Sequence, residues 1–454
     1  MDKQKALGSI DVFFGMVVAI LFADTIASNA SMGPAIIVWW IILGLIFFIP
    51  NGLITAELTA AYPDQGSIYS WVLRAFGPVW AARLSWLYFI NCALWMPSGF
   101  IWFSGCLCDA FFPETSYFVQ VVISIVITWI CVGIACLPLS DSKVVINIGG
   151  IAKILIFLLV IASGVVASVK GLPVANDMSW EALRPTFDGS LMYLPVVIYC
   201  CCGMEVIATN SHEMRDPKRD LPRAVLLVVG ITMIGNILAS WSLLRVVPLD
   251  DIDLVTGIAT MASAVFDSPF FFNLIVITLL ISVAVQMVVW ALGGARGGAE
   301  AGKGGELPAV FGLETEKSGM PYGGLVISGI VSTVVLIVYG FMAESASDLF
   351  WTLFAFSSVL FFMPYAIMFP AYIKLKNTDH ETERPFIAPA GKFFSIICEV
   401  IIFAVMVLFV HVPGEPFDAG YSMPIIIGLI ITLVFGEWLV RHQLKKNAAD
   451  EPAE

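Results

Sequence analysis

The stretch Tyr199-Cys-Cys-Cys-Gly-Met-Glu205-Val-Ile-Ala-Thr-Asn210 decides how this chain is read. It lies inside a long apolar run that begins at Leu191, yet a glycine and a carboxylate interrupt it. An ionisable group at membrane depth is expensive and by default marks function. Polar residues follow, then a basic loop from His212 to Arg223. A counterpart stands near the N-terminus, Phe22-Ala-Asp24-Thr-Ile-Ala-Ser-Asn29. Its Asp-Thr-Ile-Ala-Ser-Asn overlays Glu-Val-Ile-Ala-Thr-Asn without a gap. Paired interruptions of this kind in two halves of a membrane protein point to a transporter's substrate site.

Composition sets the class. The 454 residues are 59% hydrophobic and 13% charged, with a mean hydropathy of +0.92. Soluble domains carry about a quarter charged residues, so the chain reads as an all-α polytopic membrane protein and soluble enzymes are excluded. A net charge of −12 argues against nucleic acid as a partner. The polar first residues lead into successive apolar runs rather than a cleavage site, so no cleavable signal is expected. Cys200, Cys201 and Cys202 point in three directions on a helix and cannot share one metal; they read as small packed residues. No other spacing suggests a metal site, and no cofactor is expected.

Twelve runs are long enough to span about 30 Å of hydrocarbon: 11–31, 35–56, 80–108, 117–137, 144–169, 190–210, 223–246, 269–294, 323–342, 348–373, 394–411 and 423–441. No alternating strand pattern suggests a barrel. Lys and Arg set the orientation. With the N-terminus inside, the outside segments hold only Lys170, Arg184 and Arg245 of the 23 basic residues, and Lys153 alone lies deep in a span. Both termini are therefore expected in the cytoplasm. The outer loops are acidic, with Asp109, Glu114, Asp250, Asp251, Asp253, Glu344 and Asp348; they read either as solvated loops or as a cation-gathering vestibule.

Four segments carry a family resemblance. Glu205-Val-Ile-Ala-Thr-Asn-Ser-His-Glu-Met-Arg-Asp-Pro-Lys-Arg-Asp-Leu-Pro-Arg223 resembles the sixth helix and following loop of the amino acid–polyamine–organocation superfamily. Ala295 to Phe311 resembles its loop after helix eight, Arg384-Pro-Phe-Ile-Ala-Pro389 its segment before helix eleven, and Glu57 to Trp71 its loop after helix two. The resemblance covers nearly the whole chain. It implies one transmembrane domain, 1–454, with the leucine-transporter fold. Helices one to five (11–169) would repeat in inverted orientation as helices six to ten (190–373), with helices eleven and twelve (394–441) peripheral. Helices one and six would be broken at mid-membrane, where unwound backbone is tolerated only if it lines a cavity or binds a ligand.

The resemblance also implies a site. Typical members bind a substrate carboxylate on a glycine-rich turn in helix one; here Ala23-Asp24-Thr25, followed by Ile26, stands there. Two like charges about 4 Å apart repel by about 4 kcal/mol at a surface-like dielectric. Either Asp24 is protonated, or it turns away, or the substrate has no carboxylate there. Monoamine transporters of the same fold also place an aspartate in this break, where it binds the amine. Amine and ordinary amino-acid substrates both stay open, with a slight lean to amines. Cys202, Gly203 and Glu205 fall in the second break. Tyr199 matches an aromatic gate of an arginine–agmatine exchanging member, and Trp290, eighteen residues before Pro308, matches its stacking tryptophan; an aromatic face attracts an ammonium or guanidinium. Cys92, Trp95 and Met96 fall on the substrate face of helix three. For each aromatic, plain packing in a bundle is the competing reading, and Glu205 could serve only to tie its broken helix to its neighbours.

Lys153 matches a lysine that stands where sodium binds in sodium-coupled relatives. It reads either as a carrier of coupling protons, since desolvation disfavours a buried ammonium, or as a fixed strut between helices one and five. Both make sodium coupling unexpected. The function expected is thus a sodium-independent permease or antiporter of the cytoplasmic (inner) membrane, moving a small amino acid or amine by alternating access. Its partners would be that solute, protons if Lys153 carries them, and the bilayer; monomer and homodimer both stay open. A channel would show a filter motif, a sensor an output domain, and an enzyme a nucleophile–base pair; none is evident.

Overall fold

A computed structural model describes residues 7–64, 66–187, 189–206, 208, 214–341, 343 and 345–450. Gln65, Ile207, Thr209, Asn210, His212, Glu213 and Glu344, which the sequence reading touches, lie outside the described residues. Among those described there is no named β-strand, only a parallel bridge between Leu7 and Met214.

The chain begins with α1 (Ser9–Ile20), a break at 21–25, and the short α2 (Ile26–Ala30). α3 (Ile36–Leu43) passes through a π-helical turn (Gly44–Phe48) into α4 (Ile49–Ala61), making one span. α5 (Ile68–Phe76) is short, and α6 (Pro78–Phe111), α7 (Tyr117–Ala135) and α8 (Leu139–Val169) are long. After a single turn, α9 (Trp180–Leu183), α10 (Leu194–Cys200) stops where Cys201 to Val206 leave the helix. Then come α11 (Pro217–Val246), α12 (Gly257–Val265), α13 (Pro269–Lys303), α14 (Tyr322–Gly340), α15 (Ala346–Thr378), α16 (Gly391–Leu408) and α17 (Ala419–Asp450). Prolines open α6, α11 and α13, where a missing N–H costs nothing and the fixed φ suits a first turn. Gly77 precedes α6 at φ +83°, a conformation glycine adopts without a Cβ penalty.

Ten helices among the described residues are long and apolar enough to cross a bilayer. They match ten of the twelve runs read from the sequence. The other two, 11–31 and 190–210, are not continuous helices: their apolar helices end at Ile20 and Cys200. The physical reason lies in the sequence itself, where Asp24, Gly203 and Glu205 break each run.

α6 is enclosed along its apolar length and packs on α13 and α15. α16 and α17 are the least enclosed of the spanning helices, and large apolar side chains such as Val400, Phe403, Ile431 and Val434 face outward from them. Near the end of α4, fully buried Glu57 accepts hydrogen bonds from Tyr372 Oη (2.7 Å), Lys376 Nζ (2.9 Å), Arg384 Nη1 (3.0 Å) and the Ala388 amide (2.9 Å). A buried carboxylate is tolerated because its oxygens are satisfied by charged and neutral donors. Two of the four recognisable segments, 57–71 and 384–389, are joined by this cluster. A third reaches the N-terminus, where the Arg215 amide donates to the Leu7 carbonyl (3.0 Å).

Candidate functional site

The two breaks face each other through side chains. Thr25 Oγ1 donates to the Phe22 carbonyl (3.0 Å) and lies 3.1 Å from Cys200 Sγ. Asn29 Nδ2 donates to the Thr25 carbonyl (3.0 Å). Across the gap, Asn51 Nδ2 donates to the Cys201 carbonyl (2.9 Å). These bonds replace intrahelical partners that backbone groups lose at a helix end. Ala23, Thr25 and Cys202 are fully buried in the two breaks, and Ile26 is fully buried at the start of α2.

Asp24 lies buried in the first break. Its Oδ1 accepts from Gln286 Nε2 (3.1 Å). Its Oδ2 finds no hydrogen-bond partner among the described residues, and neither do Ser28 Oγ, Asn29 Oδ1 or Trp95 Nε1. Lys153, fully buried on α8, donates to the Val18 carbonyl (2.8 Å) and to Gln286 Oε1; its ammonium stands 5.3 Å from the centre of the Phe22 ring. Gln286, one turn before Trp290 on α13, escaped the sequence reading. Its signal was a lone amide in an apolar run, where an unpaired polar group is costly.

Glu205 lies in the second break with both oxygens taken. Oε1 accepts from Tyr88 Oη (2.9 Å) on α6, and Oε2 from Tyr365 Oη (2.7 Å) on α15. Tyr365 Oη also accepts from the Gly203 amide (2.5 Å). The structure thus assembles the tying role that the sequence left open for Glu205. Gly203 sits at φ +101°, and a Cβ there would come within 2.8 Å of the Trp290 ring. Only glycine meets both the backbone angle and that approach.

Aromatic rings fill the space between. Phe22, Trp95 and Phe361 each contact both Tyr199 and Trp290: the centroid distances are 4.9, 6.5 and 5.1 Å to Tyr199 and 6.1, 5.6 and 5.2 Å to Trp290. Phe22, Trp95 and Phe361 thus bridge Tyr199 and Trp290, and all five rings are buried. Trp290 Nε1 donates to the Ala19 carbonyl (3.0 Å). Met96 is buried on α6, next to Trp95, and Cys92 lies one turn earlier. Phe361 was not singled out in the sequence, and Phe22 stood only at the head of the first interruption, because an aromatic in an apolar run carries no mark of what it faces.

The arrangement is chemically plain: one buried carboxylate with an unused oxygen, further unused acceptors on the same segment, a lysine held one amide away, and a packed cluster of rings. It suits a ligand rich in N–H donors. Among the described residues no cluster of His, Cys, Asp and Glu could hold a metal.

Comparison with known proteins identifies the family. Residues 6–435 match the family model described as amino acid permease. The chain is 29% identical over 455 residues to a probable agmatine/putrescine antiporter of Lactococcus lactis, covering 98% of this chain and 97% of that one. It is 27% identical to an uncharacterised transporter of Legionella pneumophila, over 99% of each chain. It is 23% identical to a glutamate/gamma-aminobutyrate antiporter of Lactococcus lactis, over 96% of this chain and 90% of that one.

Proposed function

The chain belongs to the amino acid permease family and is a secondary transporter, and from that premise we propose that it exchanges cationic amines of the agmatine or putrescine type, independently of sodium. The observation that carries the reading is Asp24, a buried carboxylate with one oxygen unpaired, in the break after α1. A substrate carboxylate would meet that charge unfavourably, whereas an ammonium or guanidinium supplies the missing donor and makes a charge-assisted hydrogen bond. Ser28 Oγ and Asn29 Oδ1 add acceptors on the same segment. The ring cluster suits a cation, and the relative named for agmatine and putrescine covers nearly the whole chain.

The proposed architecture completes the twelve spans by counting the two interrupted ones, α1 with α2 and α10 with the residues after it. In this reading 11–169 and 190–373 form inverted repeats, 394–441 stands apart, and both termini lie on the cytoplasmic side of the inner membrane. The substrate contacts are Ala23, Asp24, Thr25, Ile26, Met96, Tyr199, Cys202, Gly203 and Trp290, with Glu205 behind them and Lys153 in the place sodium takes elsewhere. Leaving Asp24 with an unmet acceptor makes closure around an empty site costly. Exchange of one cation for another removes that cost in both directions.

The test is a competition assay in proteoliposomes with matched pairs: arginine against agmatine, and ornithine against putrescine, with sodium replaced by choline. The amines should compete and their parent amino acids should not, in either salt. A wild type that prefers the amino acids overturns the amine reading, and a strict sodium requirement overturns the assignment of Lys153.

A further inference from the structure

We infer that Gln286 is a positioning residue through which a cation bound at Asp24 is felt at Lys153; this rests on the amine reading of Asp24 given above. Gln286 is fully buried in α13, and its amide is used at both ends: Oε1 accepts from Lys153 and Nε2 donates to Asp24 Oδ1. An ammonium has only donors and a carboxylate only acceptors. The two partners therefore fix the amide's orientation, since the flipped amide would set N–H against N–H and oxygen against oxygen. Among the described residues Lys153 and Asp24 form no direct ion pair, so the amide is the hydrogen-bonded path between them.

Lys153 has few other contacts among the described residues. Its other contacts are the Val18 carbonyl, at the end of α1, and the face of Phe22, two residues before Asp24. All three contacts thus converge on the segment that would hold the substrate. The titratable groups that face it are Asp24 from the break and Cys200 from α10; α11, α12 and α13 add none among the described residues.

A substrate cation at Asp24 Oδ2 claims the negative charge that Gln286 relays to Lys153. The site then holds two cations against one carboxylate, and Lys153 gives up its proton to the solvent buffer and remains as the neutral amine. Substrate binding and Lys153 protonation are therefore antagonistic, and linkage makes the effect reciprocal: each weakens the other by the same factor. The amide's length matters because it holds the lysine close enough to feel the carboxylate and too far to neutralise it directly. A direct ion pair would close Oδ2 to the substrate.

The experiment measures proton release on binding. Purified full-length protein is titrated with agmatine by calorimetry, in buffers of different ionisation enthalpy at one pH near neutrality. The comparison is between wild type, Gln286→Met and Gln286→Asn. Methionine keeps the length and removes the amide; asparagine keeps the amide and is too short to reach both partners. The wild type should release a measurable fraction of a proton per agmatine bound. Both variants should bind about tenfold more weakly and release none. A merely structural role for Gln286 would lower affinity and leave proton release unchanged, which overturns the inference; so does a wild type that binds agmatine and releases no proton. Failure of the wild type to bind agmatine or putrescine at all overturns the amine reading itself. Either variant alone decides the outcome if the other does not fold.

Discussion

The two breaks hold the same kind of residue in opposite circumstances. Asp24 after α1 and Glu205 after α10 are both buried carboxylates at positions that overlay in the sequence. Glu205 has a hydroxyl on each oxygen, from Tyr88 and Tyr365. Asp24 has one amide on one oxygen and, among the described residues, nothing on the other. Buried polar groups are nearly always satisfied, and an exception calls for an explanation. The contrast teaches that a carboxylate at membrane depth is not a site by itself: its unfilled hydrogen-bonding capacity is. On that ground we propose that Glu205 holds the second break in shape and that Asp24 receives the ligand.

The largest effect that can break this comparison comes from Glu205→Leu. It strips the acceptor from two buried tyrosine hydroxyls, at about 1–3 kcal/mol each, and leaves the Gly203 turn held by a Tyr365 with nothing to donate to. Thermal unfolding in detergent should fall sharply, with transport lost at every pH. Glu205→Gln keeps an acceptor oxygen and should retain most of the stability. If Glu205→Gln instead folds normally and loses amine binding, Glu205 is a ligand group and the two breaks are equivalent after all.

Asp24→Asn is expected to act the other way round. Removing the charge should weaken amine binding by about 1–3 kcal/mol, roughly five- to 150-fold, with a smaller fall in unfolding temperature than Glu205→Leu, because no hydrogen-bond partner of Oδ2 is stranded and only Lys153 loses a charge it feels through Gln286. Asp24→Gly should go further and restore a bare-amide turn that accepts amino-acid carboxylates. Competition by arginine and agmatine on wild type and both variants reads this out. Unchanged preference in both would place Asp24 among the structural carboxylates, with Glu205.

How much of this was legible beforehand differs between fold and site. Apolar length alone located ten spanning helices, because twenty apolar residues have few other uses. Their ends were less legible: α13 runs on to Lys303 through Gly293, Gly294, Gly297 and Gly298, and α15 runs to Thr378 through Pro364 and Pro370. Glycine and proline read as stops in water, yet packed neighbours support them here. The short helices α5, α9 and α12 left no periodic run long enough to notice. Within the site, Asp24, Lys153 and Glu205 stood out because charge in an apolar run is rare. Their partners Gln286, Tyr88 and Tyr365 did not, because each lies more than a hundred residues from the group it serves. A pairing at that separation is a product of tertiary packing, and a single sequence carries no record of it.

The smallest change that still sharpens the comparison is Trp290→Phe. Trp290 touches both breaks in different ways. Its Nε1–H donates to the Ala19 carbonyl near the end of α1, and its ring presses on Gly203 in the second break. Phenylalanine keeps an aromatic ring, loses the donor and so leaves the carbonyl of a helix end unmet, and gives up the outer indole carbons that stand nearest Gly203. The cost should be about 0.5–1.5 kcal/mol, a two- to tenfold loss of agmatine affinity. Because the lost bond orders the segment that presents Asp24, the variant should be non-additive with Asp24→Asn and additive with Glu205→Gln, as double-mutant cycles distinguish neighbours from independent sites. Additivity with both would reduce Trp290 to packing. Coupling to Glu205 and not to Asp24 would mean that the second break, rather than the first, carries the ligand.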